Sequence, residues 1–334
     1  MHQSSNNLLR KIALTGSSGF LGRKLLEDIR TKGIEAQIIP RELFENGLKW
    51  VDSENATIVN PTFLEGCCAL IHTAGRAHVL HETSADPLAE YRKVNCHYSL
   101  ALAKAAWDTG VKRFVFISSI GVCGVLSQPD SPSNPHQQAS PEEPYAISKF
   151  EAEQKLLDFA KGRNLELIVI RPPLIHGSGA KGNLRSLLGA IAKGRPLPLG
   201  SVGNNRRSFL GIDNACSAII RAATASFPQQ QLQSDLPSNV RIYHLSDEGA
   251  ISTRKLIEVL AEGMGIKPRL IPMPEWMAMT AALPLGKQGA VKRLFGSLEV
   301  DSSDFYRDFS WKPEVGLEDG LRSMARAWKE RGGW

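Results

Sequence analysis

The chain has 334 residues, 42% of them apolar and 22% charged, a composition that excludes a disordered chain and allows one large or two modest domains with a real core. The net charge of +6 favours acidic partners, but the cations are scattered rather than run together. That argues for no nucleic acid partner and is met equally well by a small substrate bearing phosphates.

Five cysteines, Cys67, Cys68, Cys96, Cys123 and Cys216, lack C-x-x-C spacing, which fits a reducing compartment and no metal site. The opening MHQSSNNLLRK lacks the apolar core of a signal peptide. No apolar run reaches the roughly 18 residues of a membrane span; the nearest, Trp276 to Leu285, is short and contains Pro284. The expectation is a cytoplasmic protein with no membrane insertion.

The first element is the apolar run Ile12 to Leu14, which stops at Thr15-Gly16. Gly16, Gly19 and Gly22 then give G-x-x-G-x-x-G, followed by Leu21, Leu25, Leu26 and Ile29 at helical spacing. A strand, tight turn and helix in this order predict a dinucleotide site. The first glycine permits the bend, the second admits a pyrophosphate to the backbone, and the third lets helix and strand pack closely.

Ile34 to Ile39 is a second strand. The acid expected about 20 residues beyond the glycines in an NAD site is delayed to Glu42, behind Pro40 and Arg41. Arg41 suits the 2′-phosphate of NADP, with NAD as the alternative.

Cys68 to His72 reads as a buried strand ending in the small residues Thr73, Ala74 and Gly75, against which a cofactor can lie. Leu88 to Trp107 reads as one long amphipathic helix. Asn95, inside it, is either a solvated side chain or a hydrogen-bonding partner of the cofactor or the neighbouring strand. Arg113 to Ser119 is the clearest buried strand and runs into two hydroxyls, Ser118 and Ser119. Strands alternating with helices predict an α/β fold with a doubly wound parallel sheet, whose ligands lie beyond the strands' carboxyl ends.

Val125 to Pro144 is rich in Pro, Ser and Gln and has no period, as in a lid or binding loop. Tyr145 to Lys149 then opens a helix, and the spacing of four puts these two side chains on one face. A tyrosine phenol with pKa of about 10 is a poor acid or base at neutral pH. A nearby ammonium is expected to lower that pKa toward the useful range. With a strand-end serine sharing the proton, Ser, Tyr and Lys beside a nicotinamide make a site for hydride transfer to a carbonyl or from an alcohol.

In this combination the sequence resembles the extended short-chain dehydrogenase/reductases, in their NAD-dependent epimerase/dehydratase branch. Thr15 to Gly22 match T-G-x-x-G-F-L-G, His72 to Ala74 the His-x-Ala segment, and Tyr145 with Lys149 the Y-x-x-x-K motif. The family serine lies five residues before a glycine, which selects Ser119, ahead of Gly124; Cys123 stands where many members have Tyr. Arg171 to Gly177 is similar to R-P-x-x-V-Y-G, with His176 for Tyr. Gly182-Asn183 and Arg206 to Phe209 ahead of Asp213 resemble segments that hold a nucleotide diphosphate, and Arg293 resembles a second phosphate arginine. Arg207 is close enough to compete with Arg206.

The resemblance implies a Rossmann dinucleotide domain over 1–171, receiving roughly 212–247, and a smaller mixed C-terminal nucleotide-sugar domain over 172–211 and 248–334. It implies Ser119, Tyr145 and Lys149 as catalytic residues. Cofactor contacts are implied at Gly16, Ser18, Gly19, Phe20, Leu21, Gly22, Arg41, Thr73, Ala74, Gly75, Asn95, Tyr145, Lys149 and Pro172, and substrate contacts at Ser119, Asn183, Arg206 and Arg293. A UDP-linked sugar and a homodimer are the expected partners; the apolar faces of the helices around Tyr98 and Leu156 are compatible with the family's helix-paired dimer or else cover the sheet. Arg171 to Arg207 and Lys292 to Asp301 look most like bacterial UDP-N-acetylquinovosamine-forming 4-keto reductases of surface-polysaccharide synthesis. The alternatives are a UDP-sugar 4-epimerase and a non-catalytic nucleotide sensor on the same fold.

Overall fold

The apolar run that ends at Thr15 lies in the interior of a sheet, as its lack of polar alternation requires. The computed structural model describes residues 11–43, 48–50, 56–58, 61–77, 84–128, 131–229, 235–286 and 288–333. The leader reading of residues 1–10 lies outside the described residues, as do positions 129 and 130 of the Pro- and Ser-rich loop.

In chain order, β1 (Lys11–Thr15) leads to α1 (Phe20–Thr31) and β2 (Glu35–Ile39). A small antiparallel pair follows, β3 (Leu48–Trp50) and β4 (Ala56–Ile58). Then come β5 (Cys67–His72), α2 (Pro87–Arg92), α3 (Tyr98–Asp108), β6 (Arg113–Ile117), α4 (Pro144–Ala160) and β7 (Glu166–Arg171). The later elements are β8 (Ile175–His176), α5 (Gly182–Ala192), β9 (Leu210–Gly211), α6 (Ile212–Thr224), β10 (Val240–His244), α7 (Thr253–Gly263), α8 (Glu275–Ala282), α9 (Gln288–Phe295), α10 (Ser303–Phe309) and α11 (Leu317–Glu330).

Six strands form one sheet in the order β10-β7-β6-β5-β1-β2. The pairings of β1 with β2 and β5, of β5 with β6 and of β6 with β7 are parallel. The chain leaves β1 toward β2 and returns to β5 on the other side. The switch point therefore lies between β1 and β5, where such sheets bind ligands.

Strand β6 is buried at every residue. Phe114 and Phe116 are fully covered, each contributing about 1.5–3 kcal/mol of transfer free energy. The buried Arg113 guanidinium has its donors satisfied by Ala222 O, Ala225 O and Glu166.

The long helix expected over Leu88 to Trp107 is interrupted. Asp86 caps α2 by accepting from Ala89 N, but Lys93–His97 forms a π-turn before α3 begins. An inserted residue of this kind redirects side chains, and here Asn95 lies within it, wholly buried. Leu156 belongs to the apolar core and Tyr98 packs against it, so of the two uses open to these faces the covering of the sheet is the one seen here.

The chain divides into two units: 1–122, 143–171 and 216–243, then 123–142, 172–215 and 244–334. The segment 123–142, assigned from sequence to the dinucleotide domain, groups with the second unit. The reason is backbone pairing: Ser127 N donates to Ser297 O, Ser133 N to Glu299 O and Asp301 N to Ser133 O. In the described part of the Pro- and Ser-rich loop these bonds make a strap rather than a loose lid. The second unit is built from the parallel pair β8–β9 and helices, among which α7 packs on both α5 and α11. Leu298 and Val300 make isolated bridges to Arg207 and Ser133 respectively.

Candidate functional site

At the end of β1 the backbone turns through Gly16 at φ +71°, where an added Cβ would lie 2.7 Å from Ala74 N. A Cβ on Gly22 would lie 2.1 Å from Gly16 O. Both positions therefore require glycine. Gly19 N closes the turn on Gly16 O at 2.8 Å. Helix α1 starts with Gly19 as its cap and no side-chain acceptor, which leaves its first N–H groups to face an anion. Ser18 and Gly19 are exposed on this turn, with Phe20 and Leu21 half-buried behind them. Arg41 is exposed two residues past the end of β2.

Across the switch point, Thr73 Oγ1 donates to Thr15 O at 2.7 Å, and Ala74 N donates to Thr15 Oγ1 at 3.2 Å. His72 joins this crevice to the next helix, with Nδ1 2.6 Å from Thr15 Oγ1 and Nε2 2.9 Å from Ser99 Oγ. Ser99 gives its own hydrogen to Asn95 O. The ring therefore donates from Nε2, and Thr15 donates to Nδ1. Burial, and secondarily the Lys149 charge, holds the imidazole neutral by pushing its pKa down to about 3. Sequence reading used His72 only as part of a motif; its wiring role has no sequence signal, since its partners lie 57 and 27 residues away.

Asn95 spends its amide on the protein. Oδ1 accepts from Arg76 N at 2.8 Å, while Nδ2 donates to Arg76 O and Ser148 Oγ. Ser148 in turn donates to Tyr145 O at 2.7 Å. Asn95 thus fixes the segment after Gly75 against the first turn of α4.

Lys149 is buried with Nζ donating to Ile117 O at 2.9 Å and lying 4.5 Å from the Phe116 ring centre. A Cβ on Gly75 would sit 3.1 Å from Asn95 Oδ1 and 3.5 Å from Lys149 Nζ. Desolvation pulls the ammonium down to about 8, opposed by the nearby Glu153 charge. Ser119 Oγ accepts from Gly121 N at 3.1 Å, leaving its own hydrogen to donate. A Cβ on Gly121 would meet both Ser119 Oγ and Ala146 Cβ at 3.4 Å, so the serine and the start of α4 border the same space. Ser118 instead points into the core, donating to Glu153.

Tyr145 corrects an expectation. Its phenol is pushed up to about 12, first by burial and then by the Tyr91 phenol, and the lysine does not lower it. The physical cause is that Lys149 directs its ammonium at the Ile117 carbonyl and the Phe116 face. Tyr91, read from the sequence only as part of the helix over Leu88 to Trp107, packs edge-on to Tyr145 with ring centres 6.1 Å apart and carries the Arg76 guanidinium 5.5 Å from its own ring centre.

In the second unit, Pro172 is buried and Asn183 is exposed on the first turn of α5. Arg206 and Arg207 differ in exposure, Arg206 being exposed and Arg207 half-buried. Arg207 donates to Arg293 O and Gly296 O and bridges Ile251 and Leu298 through its backbone, which makes it a structural residue. Arg206 faces solvent and pairs with Glu299 at 2.8 Å; Arg293 is exposed on α9.

Two buried pairs have no sequence signature. Cys123 Sγ lies 3.4 Å from His244 Nε2, whose other nitrogen donates to Ser133 O at 3.0 Å. His176 Nε2 lies 3.3 Å from Asp247 Oδ2. Among the described residues no cluster of three His, Cys, Asp or Glu side chains is placed to hold a metal.

The NAD dependent epimerase/dehydratase family model matches residues 12–232. A Vibrio cholerae protein described as UDP-glucose 4-epimerase is 34% identical over 322 residues, covering 95% of each chain. The GDP-6-deoxy-D-mannose reductase of Pseudomonas aeruginosa is 23% identical, covering 97% of this chain and 99% of that one. The structure of RMD from Pseudomonas aeruginosa complexed with NADPH superposes with a TM-score of 0.69 at 21% identity, covering 96% of this chain and 100% of that one. The glycine turn, the switch-point crevice and the Tyr145–Lys149 helix thus occur in a chain that belongs to the NAD dependent epimerase/dehydratase family.

Proposed function

We propose that the protein is a reductase that uses NADPH to convert the C4 ketone of a UDP-linked 4-keto-6-deoxy amino sugar to the alcohol, a step that fits surface-polysaccharide synthesis. The observation that carries the choice is Arg41, exposed just past β2 where an NAD site would have its acid. A guanidinium there can fork onto a 2′-phosphate.

The dinucleotide fits the residues present. Gly16 and Gly22 close a turn that no Cβ could enter, and the bare backbone of Gly75 leaves open the space beside Asn95 and the Lys149 ammonium. When bound, the cofactor supplies the hydride that reaches the carbonyl carbon.

Tyr145, protonated at neutral pH with its pKa near 12, delivers its proton to the developing alkoxide. Ser119 donates its hydroxyl hydrogen to the same oxygen. Lys149, whose ammonium lies beside the bare backbone of Gly75, would hold the cofactor, and solvent restores the proton of Tyr145. A raised phenol pKa suits the acid role of a ketone reductase better than the base role of an alcohol oxidation. Asn183, Arg206 and Arg293 are the candidates for the diphosphate.

The second reading is a UDP-sugar 4-epimerase, favoured by the 34% identical Vibrio cholerae relative described as one. One experiment separates the two. Purified protein is given UDP-4-keto-6-deoxy-GlcNAc with NADPH, and separately UDP-glucose or UDP-GlcNAc without added cofactor. NADPH loss in the first arm alone supports the reductase; turnover in the second arm alone replaces it with the epimerase. Silence in both arms, with dinucleotide still bound, favours another substrate or a sensor.

A further inference from the structure

Helix α8, EWMAMTAA, has one acid and is otherwise apolar except for Thr280. A helix apolar on every side belongs in a core or a lipid phase. Here Ala282 is the sole buried residue of α8, and α9, on which it packs, buries none. Trp276 is 70% exposed and Leu283 61%, with Ile271, Met277 and Leu294 each above 40%. From sequence this stretch is too short to span a bilayer; contact with a bilayer surface needs no such length.

The same segment is strongly basic. From Ile266 to Phe295 the cations are Lys267, Arg269, Lys287, Lys292 and Arg293, against the single acid Glu275. Lys267, Arg269, Lys292 and Arg293 are exposed.

This charge decides between occupants. A second copy docked by two-fold symmetry would bring this basic surface against another copy of itself. An anionic bilayer takes the apolar side chains below its headgroups and the cations at its phosphates, and a tryptophan is well suited to that depth. We propose that the segment from Ile271 to Leu294 is a membrane-interface contact that holds the protein on anionic phospholipid. The proposal does not depend on which sugar reaction the protein performs.

The test is co-sedimentation with vesicles of phosphatidylglycerol and phosphatidylcholine, compared with phosphatidylcholine alone. The protein is expected to sediment with the anionic vesicles and to be released in part by salt. The double variant W276E/L283E is expected to partition at least tenfold less while keeping the circular dichroism and thermal melt of the parent. Trp276→Phe, still apolar, is expected to keep sedimenting but to lose most of the blue shift in tryptophan emission on vesicle addition. Failure of the unaltered protein to sediment at low salt, or equal sedimentation of the double variant, overturns the proposal. A concentration-dependent dimer that the double variant abolishes also overturns it, by giving the surface to a second copy.

Discussion

Arg171, at the end of β7, grips the Glu153 carboxylate through Nε at 3.0 Å and Nη2 at 2.5 Å, with both side chains removed from solvent. Ser118 donates to the same carboxylate. Glu153 lies one turn beyond Lys149 on α4 and thereby ties that helix to the end of β6, one residue before Ser119. Removing one side of a buried ion pair strands the other charge, at about 3–5 kcal/mol. Glu153→Gln should lower the unfolding free energy by that order in urea titrations. Combining it with Arg171→Met should recover part of the loss; strict additivity of the two costs would show that the charges are not coupled.

Lys149 makes stability depend on pH in a definite direction. Its folded pKa is about 8 against 10.5 for an unburied lysine, so between these values the unfolded chain holds more protons and stability rises with pH. Below pH 8 the full penalty of burying the charge is present, about 3 kcal/mol from a shift of this size. Lys149→Met removes that dependence. The stability of the variant minus that of the parent should be largest below pH 8 and shrink by roughly this amount toward pH 10.5. A difference that stays flat across the window would mean that the ammonium is not desolvated.

The sheet and its switch point were legible because buried parallel strands leave uninterrupted apolar runs, as in Phe114 to Ile117, and because Gly16 and Gly22 fill positions no other residue can take. Tyr145 and Lys149 were legible through helical spacing. The π-turn was not, since Lys93 to His97 has ordinary helix-compatible residues and the extra residue is set by the bonds Asn95 makes to Arg76 and Ser148. Nor was the raised pKa of Tyr145, which is set first by burial and then by the Tyr91 phenol, neither of which the spacing to Lys149 reports. The pairs Cys123–His244 and His176–Asp247 join residues far apart in sequence, so no local pattern marks them.

Tyr145→Phe removes the phenolic proton while keeping the ring against Tyr91. Turnover should fall by about 10²–10⁴, the usual contribution of a positioned acid, while the dinucleotide Kd, measured by calorimetry, changes little. Undiminished turnover would take Tyr145 out of the chemistry. A collapse of dinucleotide binding would instead make it a residue of the cofactor site.

Arg41 sets the choice of dinucleotide if it takes the 2′-phosphate. A charge-assisted hydrogen bond of about 1.5–3 kcal/mol predicts that Arg41→Ala weakens NADPH binding by roughly ten- to a hundredfold and leaves NADH within about twofold. Equal losses for both cofactors would mean that the 2′-phosphate is read elsewhere, and would weaken the case for NADPH in the reductase reading.

Gly22 and Gly19 offer a graded test of the opening turn. A Cβ at Gly22 would be driven to 2.1 Å from Gly16 O and 2.6 Å from Gly16 C, both backbone atoms that can move only if the turn itself moves; at Gly19 the nearest atom, again Gly16 O, is 3.1 Å away. Overpacking of this kind costs about 1–3 kcal/mol. At Gly22 it also displaces the N-terminal turn of α1, which is aimed at the pyrophosphate. Gly22→Ala should therefore lose at least tenfold in dinucleotide affinity together with stability, whereas Gly19→Ala should keep most of its stability. The two variants, compared by calorimetry and urea unfolding, separate close packing from the cradle itself. Wild-type affinity in Gly22→Ala would mean that the dinucleotide does not rest on this turn.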